Sequence, residues 1–436
     1  MPAAPQPTIP RGNPLTARLG IVRIDDLADP QLPDDIVAMR EGMRELAAGL
    51  SFDLATLEAQ AKAATGLDDF GDDLHREPFT VCLRALDTEA GLGPLGRMSA
   101  QGTFGQFLRN RLLVTEYLKQ HPDANDVVIE RPIIICGLPR TGTTHLHNLM
   151  SADTNLRSLP YWESLEPVPP IAEQGQQFDV DPRWTRCDSM LSMQDYVVPH
   201  MRRMHDMYAD HVHEEIQLLA IAGSTMMFDT MAPMPTWRAW YKANDQTPYY
   251  LWMKKVLQVL QHQRGPARWV LKSPQHLELF GPLVTAFPDA TFVVTHRDPV
   301  SVTASLATMI SYTARMSQEK VDPVRIGGYW AQIVEDFLRA AVDDHQLLPT
   351  AQTIDVTFDD FMADDVAMVE RIYTLAGQPF TDVTRAAMHA FMVEHPRGKW
   401  GNVEYHLEDF GLDLAERRAA LSFYSKRFGL RDERDH

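Results

Sequence analysis

The stretch Ile133-Ile134-Ile135-Cys136-Gly137-Leu138-Pro139-Arg140-Thr141-Gly142-Thr143-Thr144 decides how this chain is read. Four apolar residues in succession, three of them β-branched, predict a short strand buried on both faces. A Gly/Pro loop over 137–142 follows, and Thr143 to Met150 then reads as a helix. Three further apolar runs, Arg268 to Leu271, Thr291 to Thr295 and Gln352 to Val356, are each followed by a helical pattern. Alternating strands and helices predict an α/β fold, a three-layer P-loop-like parallel sheet flanked by helices.

Outward from this core the chain divides by composition. Residues 1–30 are a Pro-rich arm that would lie on the surface or on a partner, with a homodimer as one such assembly. Residues 31–126 form a helical N-terminal extension packed on the core. Leu54, Leu57, Ala61 and Ala64 recur at helical spacing, as do Phe104, Phe107, Leu108, Leu112 and Tyr117. The loop Gly66 to Asp73 (GLDDFGDD) separates such helices, and no β-rich stretch is evident before residue 127. Residues 127–436 are the α/β domain. Within it, 151–266 is a long helical insertion rich in Met, Trp, Tyr and His, placed where a substrate pocket or lid belongs.

The loop at 137–144 has the chemistry of an anion cradle. Its glycines let successive backbone N–H groups turn toward one ligand, and the helix N-terminus adds its positive end. Gly137 and Gly142 have the spacing of the nucleotide-binding motif GxxxxGK[ST], but Thr143 replaces the lysine. A triphosphate would lose its main cation there, which argues against an ATPase. The cation stands inside the loop instead, at Arg140, with Thr143 and Thr144 as hydroxyl donors.

Overall charge makes such a cradle necessary. The chain has 436 residues, with 41 Lys and Arg against 59 Asp and Glu, so the formal charge is 41 − 59 = −18. A field of that sign opposes nucleic acid, and an anionic ligand must be met by a local basic pocket. Hydrophobic residues at 44% exclude disorder. Cys82, Cys136 and Cys187 form no CxxC, no leader-like apolar run occupies Met1 to Gly20, and no 18-residue apolar stretch predicts a membrane span. A cytoplasmic protein is expected.

The segment Pro139-Arg-Thr-Gly-Thr-Thr144 resembles the 5′-phosphosulfate loop, PKSGTT or PRSGTT, of sulfotransferases that use 3′-phosphoadenosine 5′-phosphosulfate (PAPS). On that resemblance Arg140, Thr141, Gly142, Thr143 and Thr144 hold the donor's 5′ end. The signatures GLDDFGDD, LKSPQH and THRDP make the chain similar to the bacterial branch with a helical N-terminal extension, over about residues 50–430. Arg297, in Thr295-His-Arg-Asp-Pro299, and Ser305, eight residues on, match the arginine and serine that hold the 3′-phosphate; Ser301 aligns less well. The order Arg397-Gly398-Lys399-Trp-Gly401 resembles, more loosely, the RKGxxG segment that closes over the 3′-phosphate and adenine. The family implies PAPS as co-substrate, no metal, and a small-molecule acceptor.

Lys272, in Trp269-Val-Leu-Lys-Ser-Pro274, matches the lysine of the family's KTHLP segment, but the catalytic histidine of that segment is here Pro274. Arg140 and Lys272 would neutralise the leaving phosphate in a metal-free in-line displacement. For the base that takes the acceptor's proton, Glu163 competes with a histidine: His205, His211, His213 or His276. His211-Val-His213-Glu214 lacks a metal-binding spacing. The series Met226, Met227, Phe228, Met231, Met234, Trp237, Trp240 and Tyr241 is helix core that doubles as an apolar acceptor wall. The expected activity is sulfonyl transfer to a small lipophilic alcohol or phenol. A carbohydrate or lipid-linked acceptor, a small-molecule kinase and an inactive nucleotide-binding protein are the competing readings.

Overall fold

The computed structural model describes residues 20–433; residues 1–19, most of the expected Pro-rich arm, lie outside the described residues. Among the described residues there are seven strands: β1 (Ile21–Arg23), β2 (Ile133–Cys136), β3 (Leu156–Arg157), β4 (Arg268–Ser273), β5 (Thr291–His296), β6 (Thr353–Thr357) and β7 (Asn402–Glu404). Five of them form one sheet in the order β3-β4-β2-β5-β6, with every neighbouring pair parallel. β2 is central, pairing Ile133–Cys136 with Val270–Ser273 on one side and Thr291–Val294 on the other.

Every residue of β2 and β5 is buried, which is why both read as unbroken apolar runs. Successive side chains nevertheless separate into two cores, because strand residues alternate between faces. Ile134, Cys136, Leu271, Phe292 and Val294 join one cluster; Ile133, Ile135, Val270, Val293 and Val356 join the other, with Leu146 and Ile372. The first cluster also takes in Leu57, Phe79 and Phe104 from the N-terminal helices Leu54–Thr65, Arg76–Thr88 and Pro94–Gln120. The helical extension and the sheet therefore share a continuous interior.

One buried cation fastens the extension to the insertion. Arg111 is fully buried and donates to the carbonyls of Phe70, Ile221 and Ala222 at 3.1–3.3 Å while pairing with Asp72. The GLDDFGDD loop is thus an acceptor for a core arginine. In the insertion, Phe228, Met234 and Trp237 are completely buried, and the helices Met227–Met231 and Pro235–Ala243 are separated at Ala232–Met234.

Two features depart from expectation. A strand does precede residue 127: β1 pairs in parallel with β7, Ile21 opposite Asn402 and Arg23 opposite Glu404. The insertion 151–266 also contributes an edge strand, β3, paired with the start of β4. Both are two or three residues long, too short for alternation to register. No helix among the described residues is long and apolar enough to cross a membrane.

Candidate active site

The carboxyl ends of β2, β4 and β5 deliver three segments to one edge of the sheet: the 137–142 loop, Lys272 with Ser273 and Pro274, and Arg297 with Asp298. That edge is where open parallel sheets bind ligands. Gly137 is obligatory there, since a Cβ would lie 1.9 Å from the Thr295 hydroxyl. Thr141 bonds the Leu138 carbonyl at 2.7 Å and shares a 2.8 Å hydrogen bond with Thr295, so its hydroxyl fixes the loop's shape. Gly142, at φ 85°, caps the helix Thr143–Ser151, whose first residues face the cavity.

Arg140 also has a left-handed backbone, φ 71°, which costs about 1–2 kcal/mol in a non-glycine residue. Three contacts offset that strain. Arg297 donates to the Arg140 carbonyl at 2.6 Å, and the Arg140 guanidinium donates to Ser305 Oγ at 3.1 Å and to the Met204 carbonyl. Burial lowers the pKa of Arg140, opposed in part by Tyr405.

Arg140 and Arg297 stand between two adjoining cavities of about 550 Å³ each. The first is walled by Thr143 and Thr144, by His205, His211 and His213, and by the segment 395–402. The second is lined by Arg203, Ser301, Ser305, Tyr405 and Glu433. The sequence-predicted donor residues therefore distribute over two adjoining chambers, except Thr141, which faces neither. Arg397 pairs with Asp365 at 2.8 Å, and Trp400 lies beneath Arg202 at 5.2 Å and Lys399 at 5.5 Å. The glycines at 398 and 401 have φ of 68° and 78°.

Lys272 is buried at the end of β4. Its backbone N–H donates to Glu215 Oε1 at 2.7 Å and its ammonium to Glu214, which lines the first cavity. Lys272 itself sits one layer behind that lining. Around it stand His205, His211 and His213, with ring centroids of neighbours 5.4 and 6.5 Å apart. Burial first, and then the Lys272 ammonium, pushes His211 down to about 3. Burial and the neighbouring imidazoles and Lys272 also hold His205 and His213 well below the usual histidine range. Both ring nitrogens of His213 are buried without a protein partner. Burial therefore favours the neutral form of these imidazoles. Among the described residues no group of three or more His, Cys, Asp or Glu side chains is arranged to hold a metal.

The sequence profile of the sulfotransferase family matches residues 132–382. The chain belongs to the sulfotransferase family. The sulfotransferase STF1 from Mycobacterium tuberculosis H37Rv is 30% identical, with a TM-score of 0.74 over 85% of this chain and 98% of that one. The sulfotransferase STF9 from Mycobacterium avium is 25% identical, with a TM-score of 0.78 over 88% of this chain and 98% of that one. No curated protein matches the chain. The parallel sheet and its flanking helices are those of these bacterial sulfotransferases, and the protein is a transferase. PAPS dependence is typical of the family.

The four histidine candidates and the glutamate candidate of this sulfotransferase separate by position. Glu163 is not part of the cavity lining: it is 2% exposed, and its carboxylate is held by Arg157 at 3.2 Å and by Arg264. With both carboxylate oxygens held by guanidiniums and no face on the cavity, Glu163 has no open approach to an acceptor hydroxyl there. His276 is likewise buried against Tyr250 at 2.9 Å and outside the lining. His205, His211 and His213 do face the cavity. Glu214 was singled out in sequence only as part of a metal question; its adjacency to His213 was the available signal. Arg203 and Glu433 were missed, since a charged surface segment and a charged tail carry no mark of a cavity.

Proposed function

We propose that this sulfotransferase transfers the sulfonyl group of PAPS to the hydroxyl of a small lipophilic alcohol or phenol. The observation that supports it best is the junction of two separately encoded cation sites, Arg140 held by Ser305 and Arg297 held on the Arg140 carbonyl. A nucleotide with phosphates at both 5′ and 3′ positions needs two such sites at one ribose. The residues present fit it: the Gly137 cradle admits no Cβ, and a carboxylate already occupies Arg297 where the second phosphate would sit. Kinase chemistry is disfavoured because Thr143 stands in place of the nucleotide-binding lysine.

PAPS, when bound, supplies an electrophilic sulfonyl group and a bisphosphate leaving group. Arg140, with the N–H groups of Thr143 and Thr144, holds the 5′ end; Arg297, with Ser301 and Ser305, holds the 3′ end. Lys272, one layer behind the lining, keeps the cavity-lining Glu214 carboxylate paired beside the donor, its own backbone held by Glu215. His213 takes the acceptor proton on a ring nitrogen. The acceptor side of the first cavity is lined by Ile216, Met226, Leu306, Met309, Ile310 and Trp330, which suits an apolar body better than a sugar. The three free, buried thiols accord with a reducing cytoplasm.

The decisive test is binding followed by turnover. 3′,5′-Bisphosphoadenosine should bind at least tenfold tighter than ADP, and labelled PAPS should label lipophilic phenols in preference to sugars. Tighter binding of ADP would sink the donor assignment.

A further inference from the structure

The segment after the helix Leu414–Phe428 returns to the donor edge of the sheet. The helix ends on Gly429 at φ 64°, and Leu430 N–H bonds back to the Ser425 carbonyl at 2.9 Å. Five residues after the helix, Glu433 meets Arg297 with both carboxylate oxygens, Nε to Oε1 at 2.6 Å and a terminal nitrogen to Oε2 at 2.7 Å. Its backbone is held independently: its N–H donates to Asp298 Oδ2 at 2.8 Å, and Arg418 donates to its carbonyl at 2.9 Å. Glu433 thus lines the second cavity beside Ser301 and Ser305.

We propose that Glu433 is a resident competitor for Arg297, holding the place of the donor's 3′-phosphate and setting the affinity for donor and bisphosphate product. This rests on the reading of Arg297 as the 3′-phosphate site. A carboxylate and a phosphate cannot share one guanidinium fork, because both are anions that need the same two N–H directions. Phosphate monoester brings more charge and a third oxygen, so it displaces Glu433 when the whole nucleotide is anchored by its 5′ end. The Glu433 side chain is 29% exposed and has a route outward. Its backbone contacts to Asp298 and Arg418 do not involve the carboxylate, so the displaced group stays close at high effective concentration. It then recaptures Arg297 as the bisphosphate leaves, which opposes product inhibition. A ligand without a 3′-phosphate meets no such competition.

Calorimetric titration of 3′,5′-bisphosphoadenosine and AMP into wild type, Glu433→Gln, a chain ending at Leu430, and Arg297→Ala tests this. Removing the competitor should tighten the bisphosphate by about tenfold in both tail variants and leave AMP within about twofold, as expected for one charge-assisted contact. Thermal melts establish that each variant is folded, and the truncation stands in if Glu433→Gln is not. Unchanged or weaker bisphosphate binding in the folded tail variants would overturn the competitor role. If Arg297→Ala in the same series still weakens bisphosphate more than AMP, the Arg297 reading survives that failure. Equal losses of both ligands in Arg297→Ala would instead overturn the reading on which the competitor rests.

Discussion

Arg297 donates a 2.6 Å hydrogen bond to the backbone carbonyl of Arg140, joining the two cation sites into one mechanical unit. The residue read as holding one end of the nucleotide also holds the strained backbone of the residue read as holding the other. Its face lies 4.1 Å from the Phe358 ring, which leaves the guanidinium edge for ligands.

Arg297→Lys keeps a positive charge but loses both the fork and the bond to Arg140. Bisphosphoadenosine should weaken by about ten- to a hundredfold, equivalent to about 1.5–3 kcal/mol for charge-assisted contacts. AMP should weaken too, by a smaller factor, because the Arg140 loop is released. Titration of both ligands checks this, and wild-type affinity for the bisphosphate would show that the fork is not used.

Gly137→Ala places a methyl group 1.9 Å from Thr295 Oγ1. The strand β5 and the loop must separate, costing on the order of 1–3 kcal/mol of stability or more. Donor affinity should fall with it, since Thr295 also anchors Thr141. Chemical denaturation and nucleotide titration together read the two effects. A variant as stable as wild type would mean that the loop repacks freely.

His213→Ala should lower kcat by about 10²–10⁴ while bisphosphate binding is kept, the contribution of a positioned general base. Glu163→Gln should behave oppositely. It leaves Arg157 and Arg264 without their carboxylate and should cost about 1–3 kcal/mol of stability with kcat little changed. A dead Glu163→Gln that melts like wild type would restore the glutamate as base.

The pH profile should shift between free and donor-loaded enzyme. In the free protein His211 is pushed down to about 3 by burial and Lys272, and His213 lies well below the usual range. A bound anion beside Lys272 offsets the ammonium and raises these imidazoles. The acid limb of kcat should therefore lie at higher pH than that of kcat/KM. Stability carries the matching sign: the unfolded histidines titrate near about 6.5. Acidification below that value protonates the unfolded chain first, and stability falls continuously toward the folded value. Urea midpoints at pH 7.5 and 5 measure that loss; a flat profile would contradict neutral burial of the cluster.

The central strands were legible because burial on both faces leaves an unbroken apolar signature at 133–136 and 291–296. The basic loops were legible because glycine and arginine in that order have little other use in an acidic chain. The base was not. Glu163 is followed 101 residues later by the Arg264 that neutralises it, and no local spacing announces such a partner. The short strands β1, β3 and β7 escaped for a related reason, since their pairing is decided by what lies opposite. Glu433 bonds an arginine 136 residues earlier, a partner that no local spacing announces.

The parallel pairing of β1 with β7 has a consequence for biosynthesis. Arg23 leaves the ribosome 381 residues ahead of its partner Glu404. At 5–20 residues per second, that is a wait of roughly 20–75 s. During it the first strand has nothing to pair with, while β2, β4, β5 and β6 are completed in turn. The segment 395–402, which walls the first cavity, emerges after the whole five-stranded sheet, and β7 at its end is secured only when β1 docks on it. Nascent chains stalled before residue 404 should thus carry a formed sheet and an open nucleotide chamber.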